Sequence, residues 1–431
     1  MSTIELGEIS SAPDAEPPAE FDLRLIRRLA ITFALLLCLF GAAGSARPAP
    51  PGVRTLWSVP INDADGTTLG PETVYVHRGT SLTAYDLATG AVRWRTTVED
   101  DLGYAQLAGD LLLLPADPQT GHQGNVFTQF SRTTVALSAA TGARLWKVPG
   151  EPIVVAGDTA LMADYTDAAA YARLRLIRLG DRSTVWQRTT PAVTSVSFAM
   201  VGDSPGQVVA VTDDGQAEVL RFADGGVIAR ARIDWVRPLP DHEQFNDVSA
   251  SRDHLVVNRT EQGHGELSVY RLATLERLWR ADGTDGFAFP CGSGVCFSNA
   301  QALTAYDAET GRLRWRVPGS GSGWSATADR VVVDLAGEDG EQHLVDAETG
   351  ARVGENSPGE TVWNAEPDDA LLVLKPTLSA PQRTTVSRWD LHTGRRELLG
   401  AIDRIVVNRC QSVLHYLGCY LDNAYSVTAV D

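Results

Sequence analysis

The residues of this chain with chemical reach are five cysteines, eight histidines and a large excess of carboxylates. Four of the cysteines form two close pairs, Cys291 and Cys296 in CGSGVC and Cys410 and Cys419 in CQSVLHYLGC. Even pairing at short spacing predicts two local disulfides, with zinc as the rival. The pairs lack CxxC spacing and lie over a hundred residues apart, which weighs against a shared metal. His242, His254 and His264 read as loop histidines, and NDADGTT (62–68) as a turn lacking the later ligands of a calcium loop. H-E-x-x-H and G-x-x-x-x-G-K-[ST] are both missing from the sequence. No catalytic residue, cofactor or metal ligand is therefore nominated.

Charge and composition narrow the class. The formal net charge of −17 over 431 residues argues against nucleic-acid binding, which needs a basic face. With 44% hydrophobic residues the chain has material for a large core and is not a disordered polypeptide.

The N-terminus predicts an address. Residues 1–22 are polar, acidic and Pro-containing and read as a disordered cytoplasmic tail. Arg24, Arg27 and Arg28 then precede the uncharged run Leu29–Ala46, and 23–46 is expected to form a single transmembrane signal-anchor helix. Positive charge before the run leaves the tail inside and exports everything after it. A signal peptide cleaved among Gly41–Ala46 is the alternative. Residues 47–52 (RPAPPG) form a Pro-rich linker. The membrane is thus an expected partner through that one helix.

The elements that position everything else come from a repeat. LTAYDLATGAVRW (82–94), VALSAATGARLW (135–146) and LTAYDAETGRLRW (303–315) share one phrase, and looser copies fill the rest of 53–431. Anchored at the Asp position, the copies fall at 86, 138, 178, 221, 271, 307, 346, 390 and 431, about 43 residues apart. That period, with short alternating apolar runs, predicts an all-β propeller of four-stranded blades, eight or nine in number and nine by motif count. Within each phrase the Asp and Gly make a tight turn between two strands. Trp57, Trp94, Trp146, Trp186, Trp279 and Trp315 follow the turn and are expected to wedge between neighbouring blades. The final copy stops at Asp431 without its Trp strand, whereas residues 54–59 are a Trp strand without a turn. The two ends are therefore expected to complete one blade and close the ring. Cys296 and Cys419 precede their Asp anchors by 11 and 12 residues, so each disulfide is expected at an equivalent place in its own blade.

The phrase A-x-D-x-x-T-G-x-x-x-W, as Ala84–Trp94 and Ala305–Trp315, resembles the tryptophan-docking motif of the quinoprotein, or PQQ-like, β-propeller superfamily. The resemblance covers roughly 54–431. It implies the propeller fold and admits three functions: quinone-dependent alcohol or aldose dehydrogenase, envelope-assembly scaffold, or non-enzymatic binding domain. The dehydrogenases use adjacent cysteines, a Ca²⁺ site and a catalytic Asp. This sequence has no Cys-Cys pair, and none of its carboxylates is singled out as a ligand. The expectation is a non-catalytic module without a cofactor, binding an unidentified protein or small molecule. Two repeats are oversized, by 115–132 and by 234–247. In the second, Trp235 and Phe245 among Asp234, Asp241, Glu243 and Asp247 form a candidate partner-binding loop, with an irregular self-packed linker as the plainer alternative.

Overall fold

The computed structural model describes residues 52–430 except 63–64, 99–103, 124–125, 238, 240–243, 283–285, 300, 336–339, 365–368, 378–379, 407–408 and 422. The expected tail and membrane helix, most of the linker, and Asp241 and Asp431 lie outside these residues. Among the described residues no helix is long and apolar enough to cross a membrane.

The chain is built from antiparallel meanders. Six sheets have four strands each, spanning 66–97, 106–149, 244–282, 287–318, 320–358 and 360–403. A seven-stranded sheet spans 151–232. Its long strand Thr184–Val201 pairs backward with Tyr171–Arg178 and then forward with Ser204–Thr212, so one strand serves two four-stranded halves. The last sheet joins Cys410–Val413, Tyr416–Leu421 and Ala424–Val430 to the first strand, Val53–Pro60, with Trp363–Asn364 beside Cys410–Val413. We number the units first to ninth along the chain, counting the halves of the seven-stranded sheet separately. Val53 lies opposite Val430 and Pro60 opposite Ala424, so the two ends of the described chain share a sheet.

The repeated phrase folds as one device. The Thr89 backbone N–H and hydroxyl both donate to Asp86 Oδ1, at 3.0 and 2.8 Å, and the Gly90 N–H donates to the Asp86 carbonyl. Asp307, Asp346 and Asp390 receive their Thr in the same way. Gly90 has φ of 70°, and a Cβ there would lie 2.5 Å from the Trp57 ring. Glycine thus supplies both the left-handed turn and a flat seat for the indole. A bulge after the turn, between Ala84 and Tyr85 in the first unit, sets Trp94 opposite Ala84. The same offset places Trp146, Trp186, Trp279 and Trp315.

Each indole reaches the next unit. Trp57 Nε1 donates to the Leu87 carbonyl (2.8 Å), Trp94 to Ala139 (2.9 Å), Trp186 to Phe222 (2.7 Å), Trp279 to Ala308 (2.7 Å) and Trp315 to Ala347 (3.0 Å). The acceptor is always the residue after the Asp position of the following turn. Trp146 is buried against Ile177 and Leu179 of the third unit. The fourth unit carries Ala229 in place of Trp, and the turn it faces carries Leu275, at φ of 57°, in place of Gly. Both belong to one apolar cluster, so the larger side chain has moved across the seam. In the seventh and eighth units the bulge falls farther from the turn, which sets Val353 and Glu397 opposite the Ala84-equivalent residues.

Two expectations need correction. Trp57 pairs with Val427, so by register Ala429, not Asp431, takes the Asp place of the last unit. The disulfides Cys291–Cys296 and Cys410–Cys419 each join adjacent strands of one sheet, but not at equivalent places. Cys296 lies opposite Ala305, two residues before Asp307, and Cys419 opposite Ser426, three before Ala429. An odd difference in register turns a side chain to the other face. The first pair packs with Val331 and Val345 of the seventh unit, and the second with Val386 and Leu399 of the eighth.

Candidate functional site

The two oversized repeats have different structures. Residues 115–132 are no irregular linker. They lengthen the middle strands of the second unit to Leu111–Gln123 and Val126–Ser138, paired along their whole length. This hairpin leans on the third unit. Phe130 meets Tyr165, which meets Tyr171, each at 5.0 Å between centroids. Glu151 accepts hydrogen bonds from the Ser131 N–H (2.6 Å) and the Tyr104 hydroxyl (2.9 Å). Burial raises the Glu151 carboxyl above its usual range. The insertion is tied down by its own contacts.

The segment 234–247 is pinned at its start and open at its end. Tyr270 accepts from the Asp234 N–H (2.7 Å) and donates to Asp234 Oδ2 (2.8 Å), while Arg277 pairs with the same carboxylate. Burial pulls the Asp234 carboxyl upward, but Arg277 and Tyr270 outweigh it and hold the group below its usual value. Tyr270 itself is pushed up to about 12, chiefly by burial. Asn246 clasps Val236 from both sides, accepting its N–H (3.0 Å) and donating to its carbonyl (2.7 Å). Trp235 packs into the core shared by the fourth and fifth units and is not displayed. Phe245 is 45% exposed. Of the three residues named for this loop, one faces inward, one outward, and Asp241 lies outside the described residues.

Next to this segment the fifth unit carries a cavity of about 550 Å³ lined by Arg259, Glu261, Gln262, His264, Glu266 and Asp282. Strand register explains the clustering. Gln244 lies opposite Glu261, Glu261 opposite His264, Arg259 opposite Glu266, and Glu266 opposite Asp282. All therefore share one face of the sheet. Leu255 and Val257 continue that face into the core, so it turns from apolar to charged only toward the hairpin Gln262–Gly263. Glu266 is buried and neutralised by Arg259 (2.8 Å) and Arg280 (3.3 Å), and Arg280 also reaches Asp282 (3.3 Å). Glu261 accepts from the Gln244 Nε2 at 3.2 Å. Among the described residues no group of three or more His, Cys, Asp or Glu is placed to hold a metal ion. Of these residues the sequence singles out His264, and not Glu261, Glu266 or Asp282. The signal available was charge at alternate positions 259 and 261, where the apolar alternation of strand His254–Glu261 should have continued.

Four-stranded repeats locked by an Asp turn and a docked indole define a β-propeller of the PQQ-like superfamily. A family model described as outer membrane protein assembly factor BamB matches residues 49–281 and 263–396, and the chain belongs to that family. Among solved structures, the chain is similar to a eukaryotic initiation factor, with 9% identity, TM-score 0.51, and 82% of this chain and 92% of that one covered. It is also similar to BamB from Moraxella catarrhalis, with 13% identity, TM-score 0.45, and 88% and 99% covered. A europium-containing methanol dehydrogenase gives 12% identity, TM-score 0.41, and 88% and 93% covered. At 9% identity the likeness to the initiation factor speaks to the fold alone, and the two with TM-scores below 0.5 carry no argument. No curated protein matches.

Proposed function

We propose that this chain is a membrane-anchored, extracytoplasmic propeller of nine blades that binds a protein partner in envelope assembly and catalyses nothing. The observation that carries the proposal is the match, over most of the chain, to the family described as an outer membrane protein assembly factor. Pairing of Val53–Pro60 with Ala424–Val430 supports a ring closed by the first strand, and the nine successive units support the count. Two disulfides suit an oxidising compartment and so support export. The sequence of 23–46 supports one membrane helix with the tail inside.

Two measurements test this. The full-length chain should stay with membranes after a carbonate wash and keep an N-terminal tag. A mature N-terminus near Arg47 in the soluble fraction would show a cleaved signal peptide instead. Purified protein given pyrroloquinoline quinone and Ca²⁺ should show no dye-linked oxidation of alcohols or aldoses, and turnover would overthrow the non-catalytic assignment.

A further inference from the structure

We infer that the seam between the eighth and ninth units is an unfilled indole seat, and that it takes a tryptophan side chain from an acidic segment of the protein partner. This rests on the protein-binding role proposed above and names the chemistry of the contact. The other seams show what belongs in such a place. Trp57, Trp94, Trp146, Trp186, Trp279 and Trp315 fill six of them. Ala229 and Leu275 share the seam of the fourth and fifth units. At the seventh unit Val353 takes the indole's place, and the fully buried Trp389 of the eighth fills that seam from the other side, against Val332 and Leu344. In the eighth unit the indole's place falls to Glu397, which is exposed.

A cavity of about 330 Å³ opens there, and its walls are the counterparts of an indole's neighbours. Ala370 lies opposite Asp390 as Thr73 lies opposite Asp86, so Leu372 is the counterpart of Tyr75, whose ring is 5.8 Å from that of Trp94. Arg388 takes the place of Ala84. Val430 donates its N–H to the His415 carbonyl as Leu87 does to that of Glu72, and the Leu87 carbonyl is the one that accepts Trp57. Leu372, Arg388, His415 and Val430 all line the cavity. A tryptophan entering it meets an apolar wall from Leu371 and Leu372, a carbonyl at the place of the usual acceptor, and a guanidinium for its ring face.

Charge selects what carries the ring. A second cavity of about 440 Å³ shares Ala370 and Arg388 with the first and adds Arg395 and Arg396. None of these three arginines has an ion-pair partner among the described residues. Asp390, on the same wall, is spent on the hydroxyl and N–H of Thr393 and the N–H of His392. Carboxylates flanking the tryptophan therefore meet three unanswered cations, against the opposing charge of Glu397.

The test uses the full-length protein in a zwitterionic detergent and three fluorescent peptides, Gly-Asp-Trp-Asp-Gly, Gly-Asp-Ala-Asp-Gly and Gly-Arg-Trp-Arg-Gly. Fluorescence anisotropy should show saturable one-to-one binding of the first. The second lacks the ring and the third the charge, and each should bind about tenfold more weakly. Arg388→Gln should weaken the first about tenfold, while Arg312→Gln, an exposed arginine of the sixth unit, should leave it unchanged. If Arg388→Gln lowers the melting temperature, Arg395→Gln takes its place. Arg388→Ala with Glu397→Trp rebuilds the Ala84–Trp94 pair within the chain, and should raise the melting temperature and abolish binding. Failure of that double variant to do both would overturn the inference. So would equal binding of the three peptides, absence of saturable binding, or equal loss in Arg312→Gln. In cells, a photo-crosslinking residue at Leu414, exposed on the rim of the first cavity, separates the two levels. Envelope-protein adducts that vanish in the double variant support the seat. Adducts that persist there, or that form only with a second copy of this chain, overturn it. Adducts from Phe245 with none from Leu414 keep the protein-binding role and remove the seat.

Discussion

At the level of single residues, the turn carboxylates do the most repeated work. Arg93 and then Thr89 hold Asp86 down to about 2, and Arg314 with Thr310 holds Asp307 lower still. Hydrogen bonds from their Thr likewise depress Asp346 and Asp390. A free Asp titrates near 3.9, so these groups favour the folded chain above about pH 4. That contribution should fade as pH falls from about 4 through about 2. The melting temperature should drop across this window, and Asp86→Asn should flatten the drop. A second expectation concerns the thiols. Alkylation of unreduced, denatured protein should leave Cys291, Cys296, Cys410 and Cys419 unlabelled, and labelling of all four would contradict the export assignment. The turns were legible because Asp, Thr and Gly recur at fixed offsets. The cavity was not, because Glu261, Glu266 and Asp282 come from three strands and meet only through register.

Between elements, the seam is the unit of stability. Trp57 is half-buried and bonded to Leu87 of the first unit, so Trp57→Ala should cost about 3 kcal/mol, the low end for truncating a buried aromatic. Ala229 and Leu275 offer a sharper test. Ala229→Trp alone should destabilise by about 1–3 kcal/mol through overpacking, and adding Leu275→Gly should recover much of it. Calorimetry on the four proteins of this cycle would read the coupling, and simple additivity would show that the two residues do not share a seat. Six Trp made most seams readable in the sequence. The seventh and eighth were not, because whether a residue faces the seam depends on where the bulge falls, and there it comes only after Val353 and Glu397. The place of Asp431 misled for a related reason, since the terminal pair is registered by Trp57 and Val427.

At the scale of the molecule, the first strand belongs to the last sheet, and the closed ring proposed from that pairing would have no end from which to fray. Deleting residues 53–60 should therefore lower the melting temperature of the whole propeller in one transition. Loss of a single unit with the rest intact would speak for an open array. The period made the propeller repeats readable from sequence, and the split final repeat the shared terminal sheet, whereas a partner has no sequence signature. The central claim is the proposed protein-binding role. It is tested most directly in living cells, by a photo-crosslinking amino acid at Phe245 with another at the exposed position Glu355. Discrete envelope-protein adducts from position 245 and none from 355 are predicted. Equal or absent crosslinking from both positions would contradict it.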